Sequence, residues 1–515
     1  MPASPRKDRG RAPGIRYGRA FLAGIVAACT VPPAHALDTF FVGPRAQGMA
    51  GALTAAVDDT DAQYYNPAAF GFFHRDASIR FDNNDLARKL YGHGADAGIG
   101  LRASGKMGEY LHTLSTTDLD ALTNGIDSPS EAEDLLAFTE SLGGIDDKGT
   151  GLMVDSNAGA AVRFRHFGIG IRALGQASAQ VTELDSANLG ISTDQLDTEI
   201  QNNVTSDGSK TIDDLTVLSA DQKDSLAAAG FADQTIVDLD TLADEQGLST
   251  EDADAAVQVL DDVAGSSGSG TSSTVSENGT LLTLKGFLLT EVPVTYGHAF
   301  NDRWAVGANL KLMRGRVYGN HVLVFDSDAG DVLAKTDERY EETSRVGVDV
   351  GIMARYPRVN FGLMARNLNS PTFDGFTYTD ANGDSYSISD VEVEPQVRAG
   401  VALIPFHTVT FELDYDLTRN DTVLRGYDTQ MLAGGMEWDI LRIVAVRAGA
   451  YRNLAERDMG TVYTGGLGLN LWTVRADLSL AMSAETTTVK NLDIPFYGNR
   501  LPKEMRASLK VSADF

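Results

Sequence analysis

From about residue 280 to the C-terminus, apolar and polar positions alternate with period 2, which is the pattern of strands and not of helices. Trp304, Val306, Ala308, Leu310 and Leu312 fall on one face, with Ala305, Gly307, Asn309, Lys311 and Met313 on the other. Val346, Val348, Val350, Ile352, Ala354 and Tyr356 alternate with Arg345, Gly347, Asp349, Gly351, Met353 and Arg355. Val409, Phe411, Leu413, Tyr415 and Leu417 alternate with Thr410, Glu412, Asp414 and Asp416. In the last strand Met505, Ala507, Leu509, Val511, Ala513 and Phe515 share the apolar face. The runs reach about 10 residues, longer than the usual strand of about 5–6 and long enough to cross a bilayer at a tilt.

The polar faces decide between a soluble sandwich and a membrane barrel. They carry charges of both signs and small residues such as Gly307, Gly347 and Gly351, which suit a hydrated, crowded lumen. In lipid only helices and closed barrels satisfy every backbone group, and no apolar run long enough for a spanning helix follows the N-terminal segment. The pattern predicts an all-β transmembrane barrel of about 14 antiparallel strands. They are expected near 76–82, 157–165, 168–183, 280–299, 303–323, 344–356 and 358–368. The rest are expected near 393–404, 407–417, 430–438, 441–452, 460–471, 473–483 and 504–515. Short connections (His166-Phe167, Phe300-Asn301-Asp302, Pro357, Pro405-Phe406, Asp439-Ile440, Trp472) then alternate with long ones. Outer-membrane barrels show that asymmetry, with short periplasmic turns and long outer loops. The terminal Phe515, in phase with the apolar face, is the expected assembly signal for the outer-membrane assembly machinery.

The first 36 residues read as a secretory signal peptide. Arg6, Lys7, Arg9, Arg11, Arg16 and Arg19 precede an uncharged stretch from Ala20 to Val31, and Ala34-His35-Ala36 is a small-residue cleavage site. A competing cut at Val26-Ala27-Ala28-Cys29 would make Cys29 a lipidated first residue, and the sequence leaves that open.

Charge changes the picture next. The chain of 515 residues has 43 Lys+Arg and 71 Asp+Glu, a net −28. Removing the six bases and one acid of the signal gives 37 − 70 = −33. Such acidity excludes sequence-independent nucleic-acid binding, which needs a basic surface. Residues 191–270 hold 18 acids and two lysines, and residues 115–150 hold nine acids and Lys148, so the excess is concentrated in two insertions, 83–156 and 184–279. Both read as helical. Ser219 to Gln222 is a capping-box pattern with a stop at Gly230, and Ser249 or Thr250 begins a second helix carrying Ala253, Ala256, Val257, Leu260 and Ala264. These insertions are either an outward-facing cap or partner-docking surface, or solvated loops whose acids maintain solubility.

Chemistry is sparse. The single Cys lies in the signal segment, the eight His show no His-x-x-x-His spacing, and neither a phosphate-binding loop nor a nucleophile elbow occurs. Asp380 to Asp384 and Asp326 to Asp331 partly mimic calcium loops but lack the downstream bidentate Glu. No enzyme activity, metal or cofactor is expected.

The start of the mature chain carries the most specific signal. Gly43-Pro44-Arg45-Ala46-Gln47-Gly48-Met49-Ala50-Gly51-Ala52 is followed by Asp58-Asp59 and by Tyr64-Tyr65-Asn66-Pro67-Ala68. This resembles the N-terminal signature of the FadL-like outer-membrane barrels. Arg366-Asn367-Leu368-Asn369-Ser370-Pro371-Thr372-Phe373 is similar to the branch labelled conjugal-transfer TraF. The thioredoxin-like proteins that share that label have a Cys-x-x-Cys, which this chain lacks. The resemblance implies an N-terminal hatch (37–75) inside a 14-stranded barrel (76–515), with Asn66, Pro67 and Ala68 as its gate motif. It also implies the outer membrane of a Gram-negative bacterium, with the lipid bilayer as partner. Two functions follow as expectations: a passive channel for a hydrophobic small molecule, or an assembly component of the envelope or conjugation apparatus with an envelope protein partner.

Overall fold

In a computed structural model, the described residues are 39–73, 91–108, 110, 112, 129–188, 197–198, 200–201, 204, 210–267, 278–324, 339–379, 383, 385–471, 473–488 and 500–514. The signal segment with Cys29, the calcium-like loop Asp326–Asp331, all of Asp380–Asp384 but Gly383, and Phe515 lie outside them.

Fourteen antiparallel strands close into one barrel. The first seven are β1 (Tyr91–Ser104), β2 (Gly151–Phe164), β3 (Phe167–Glu183), β4 (Leu281–Ala299), β5 (Trp304–Leu323), β6 (Tyr340–Arg355) and β7 (Val359–Arg366). The others are β8 (Gln396–Phe406), β9 (Val409–Asp416), β10 (Met431–Ile440), β11 (Val444–Asn453), β12 (Thr461–Leu471), β13 (Val474–Ser483) and β14 (Glu504–Asp514). Each pairs with its successor, and β14 closes on β1 from Gly92↔Asp514 to Arg102↔Glu504. Closure leaves no strand edge unpaired, which a bilayer requires.

The alternation read from the sequence is the alternation of faces. Leu310 and Leu312 on β5, Phe411 and Leu413 on β9, and Leu509 and Val511 on β14 point outward and are exposed. Asn309, Lys311, Glu412, Asp414, Ser508 and Lys510 point inward and are buried. Outward-facing Phe164, Phe167, Tyr296, Phe300, Trp304, Tyr356, Phe361, Phe406 and Trp438 cluster where the short turns lie. Tyr340, Tyr415 and Tyr463 are exposed toward the long-loop end. Two aromatic girdles bounding an apolar band are the surface a bilayer selects.

One strand differs from expectation. The strand expected at 76–82 falls outside the described residues, and β1 lies instead at Tyr91–Ser104, inside the stretch assigned to the first insertion. The connection from β1 to β2 is therefore 105–150. Gly92, Gly94, Gly98 and Gly100 dilute the apolar signal of β1, and glycine disfavours strands. Its lumen face needs them, because a Cβ on Gly100 would meet Asp155 and Arg506, and one on Gly94 would meet Lys510.

Helices α1 (Pro44–Gly48) and α2 (Ala62–Tyr65) and a 3-10 turn at Pro67–Phe72 lie within the segment 39–73. The insertions contribute α3 (Pro129–Leu142), α4 (Ala220–Ala229), α5 (Asp233–Glu245) and α6 (Thr250–Ser267). Ser219 and Gln222 form the expected capping box, and Gly230 ends α4 at φ 101°. Leu226, Ile236, Leu242, Val257 and Leu260 pack with Phe138 and Leu142 into a core of their own, seated on Leu282, Leu284 and Val322 of the wall. Helix α5, which no sequence signal singled out, adds Ile236, Leu239, Leu242 and Ala243 to that core.

Candidate functional site

The site is the lumen, where every described residue of 39–73 is buried. The segment is short of regular structure, so side chains satisfy its backbone. The Phe40 N–H donates to Tyr64 Oη at 3.1 Å and the Val42 N–H to Tyr65 Oη at 2.9 Å. Asn66 is the central bracket. Its Nδ2 donates to the carbonyls of Thr54 (3.0 Å) and Ile352 (3.1 Å), and its Oδ1 accepts from the Ala68 N–H at 3.1 Å. Pro67 opens the 3-10 turn, where its missing N–H leaves no bond unmade.

The wall accommodates this segment by dispensing with side chains. A Cβ on Gly307 would strike the Pro67 carbonyl and the Ala68 nitrogen, and one on Gly351 would strike Asn66 Oδ1. On the opposite wall, Gly435 and Gly449 lie against Met49 and Ala50, and Gly466 against Gly48. The wall thus carries a groove of glycines into which the inner backbone lies flat.

Charges fix the segment in that groove. Arg45 donates from Nε and Nη2 to Glu437 at 2.9–3.2 Å and pairs with Asp58 at 2.5 Å. Glu437 also binds Arg447 (2.6 Å), which continues to Asp477 (2.8 Å). Lys510 bridges Asp61 (2.6 Å) and Asp59 (3.3 Å). Glu412 and Asp414, read from the sequence as two lumen charges among many, have a specific task. Asp414 accepts from the N–H groups of Leu53 and Thr54 at 3.1 Å, and Glu412 from those of Ala55 (2.5 Å) and Ala56 (3.1 Å). Arg355 and Arg398 donate to the carbonyls of Val57 and Gly51. Sequence reasoning did not pick out Glu437, Arg447, Asp477 or Lys510. Glu437 and Lys510 meet partners hundreds of residues away in the chain, and Arg447 meets Glu437 and Asp477 only once the strands have paired.

The ladder between β3 and β4 is interrupted beside this segment. Ile169↔Val294 and Arg172↔Glu291 pair in one register, but Gly170 and Ile171 have no pairing with Pro293 and Val292. Pro293 lacks the N–H that a ladder needs. Gln63 of α2 occupies the break: its Nε2 donates to the Pro293 carbonyl (3.2 Å) and Thr295 Oγ1 (2.7 Å), and its Oε1 lies where a Cβ on Gly170 would fall. Outside the break, Ile169, Ile171 and Val294 are exposed to the lipid side. Beside Gln63 lies a small polar cavity lined by Tyr64, Arg172, Glu291, Lys311, Asp349 and Arg366 among others. Toward the long-loop end, Phe373, Ile388, Val391, Val423, Leu424 and Tyr427 fold over the lumen and pack with Phe287 and Leu289. Among the described residues, no cluster of His, Cys, Asp and Glu is placed to hold a metal.

A closed 14-stranded barrel with an apolar exterior, aromatic girdles and an N-terminal segment folded inside defines an outer-membrane β-barrel. The family model described as "F plasmid transfer operon, TraF, protein" matches residues 63–416, and the chain belongs to that family. No curated protein matches the sequence. Among solved structures, the Ralstonia pickettii toluene transporter TbuX is similar at 10% identity over 92% of this chain and 98% of that one, with a TM-score of 0.44. The Pseudomonas putida toluene transporter TodX matches at 10% over 93% and 99%, TM-score 0.42. A Pseudomonas aeruginosa FadL homologue matches at 11% over 94% and 100%, TM-score 0.42. The protein resides in the Gram-negative outer membrane.

Proposed function

We propose that this barrel is a passive channel for hydrophobic small molecules, with the segment 39–73 as its gate and Asn66, Pro67 and Ala68 as the pivot. The observation that carries the reading is the break between β3 and β4 stoppered by Gln63. A wall opened there joins a lumen cavity to the acyl-chain region, where an apolar solute is more soluble than in water. The gate is held by hydrogen bonds and ion pairs to the wall and not by continuous chain pairing, so a shift of the segment opens a path without unzipping the barrel. A deletion strain is expected to lose import of a labelled long-chain fatty acid or alkylaromatic, with import restored by the native chain. Gln63→Ala, which leaves the break unfilled, is expected to admit solute faster than the native chain.

A second reading rests on the family description and on the acidic helical insertions. In it the barrel is an envelope component of a plasmid-transfer apparatus, and the α3–α6 cap docks an envelope protein. Unchanged import with lost plasmid transfer in the deletion strain would establish this reading and remove the first.

A further inference from the structure

The outer face of β5 changes character at one level. Leu310 and Leu312 are followed, at the same two-residue spacing, by Arg314 and Arg316. From Trp304 in the short-turn girdle to Arg314 the strand advances ten residues. At about 3.3 Å per residue and a tilt near 40°, that is about 25 Å along the membrane normal, the height of a barrel's apolar band. Arg314 therefore stands at the outer boundary of the hydrocarbon, where an arginine costs about 0–1 kcal/mol instead of the about 2–4 kcal/mol of the midplane.

Both guanidiniums converge on one carboxylate. Arg314 Nη2 pairs with Glu342 Oε1 of β6, and Arg316 Nε donates to Glu342 Oε2 at 2.6 Å. Arg316 also lies over the Tyr340 ring, 5.0 Å from its centroid. Among the described residues Glu342 is the carboxylate that both arginines share, so within that set two cations face one anion. Arg314 is 60% exposed. In a chain of net charge −28, a preorganised basic pair facing outward at this height calls for an anion from the membrane itself.

We propose that Arg314 and Arg316 form a binding site for the phosphate of a phosphorylated glycolipid in the outer leaflet. The planar fork of arginine matches phosphate oxygens in two parallel hydrogen bonds, and the arginine stems lie along the acyl chains that cover Leu310 and Leu312. Glu342 holds the two forks in place while leaving the pair cationic. The site is independent of any transport through the lumen.

The test uses the full-length protein in detergent micelles with bis-phosphorylated lipid A as probe. The native chain is expected to bind it, and the double substitution R314Q/R316Q to weaken binding by at least about tenfold. Dephosphorylated lipid A is expected to bind as weakly to the native chain as the intact lipid does to the double variant. E342Q removes the competing anion and is expected to tighten binding, a result that a purely structural ion pair would not give. It also keeps the test decisive if the double variant fails to assemble, as judged by its unboiled gel mobility. Unaltered binding by R314Q/R316Q, or no gain in E342Q, would overturn the proposal. So would displacement of the lipid by millimolar inorganic phosphate, which would mark a bare anion site.

Discussion

Single residues carry the closure of the lumen. Gly307 has no side chain because the Pro67 carbonyl occupies that space, so Gly307→Val forces either the wall or the inner segment to move. Overpacking of this kind costs about 1–3 kcal/mol. The expected result is a lower unfolding midpoint in urea together with raised permeability of reconstituted vesicles to small solutes. A native midpoint and native tightness would show that the groove is not needed. Glu437 shows the complementary dependence on charge. It is buried between Arg45 and Arg447, and Glu437→Gln leaves two buried guanidiniums sharing a neutral amide. Removing one partner from such a network costs roughly 3–5 kcal/mol. The urea midpoint of the heat-modifiable form reads this loss, and a shift within error would mean that water already screens the pair. Gly307 was visible in the sequence as a lumen-facing position, and Glu437 as part of a strand expected near 430–438. Which backbone or cation each one meets was not, because period 2 fixes a face and says nothing about what stands across it.

At the scale of elements, the barrel strands and the insertions were legible to different degrees. Strands with β-branched and aromatic outward positions, such as β5, β6 and β9, lie within a few residues of their expected ranges. Strand β1 was not recognised because its lumen positions are glycines that yield to Lys510 and Arg506 on the neighbouring strand. In the insertions, the capping box before α4 was readable because it is local, whereas α5 was not. Its Ile236, Leu239 and Leu242 face a core assembled from four helices. Asp240 on α5 joins these helices to the preceding loop. It accepts from the N–H groups of Thr216, Val217 and Leu218 at 2.8–2.9 Å and from Lys210 Nζ at 2.7 Å. Burial by itself would raise its pKa, but the Lys210 ammonium and the three N–H groups outweigh that and hold it at about 2, below the usual 3.8. A depressed folded-state pKa stabilises the cap above the unfolded value, and that stability is lost as pH falls from about 4 through about 2. Pepsin cleavage within residues 210–248 is therefore expected to accelerate over that range in the native chain. Asp240→Asn is expected to be cut quickly throughout, and equal native and variant profiles would refute the assignment.

For the whole molecule, closure predicts a simple observable. A barrel in which β14 pairs with β1 resists detergent, so the unboiled protein is expected to migrate faster on a gel than the boiled chain. Identical mobility with and without boiling would contradict a closed barrel. The sequence by itself determined the class of the protein. Alternation with period 2, the order of short and long connections and the clustering of acids in two insertions are properties of neighbouring residues, and bilayer physics leaves a barrel as the arrangement that satisfies them. Tertiary structure alone decided how the lumen is filled. The glycine groove against Pro67 and Met49, the relay from Arg45 through Glu437 to Arg447 and the break stoppered by Gln63 join residues that meet only once the sheet has closed. Their register depends on the shear of the whole barrel, which no local window of the chain contains.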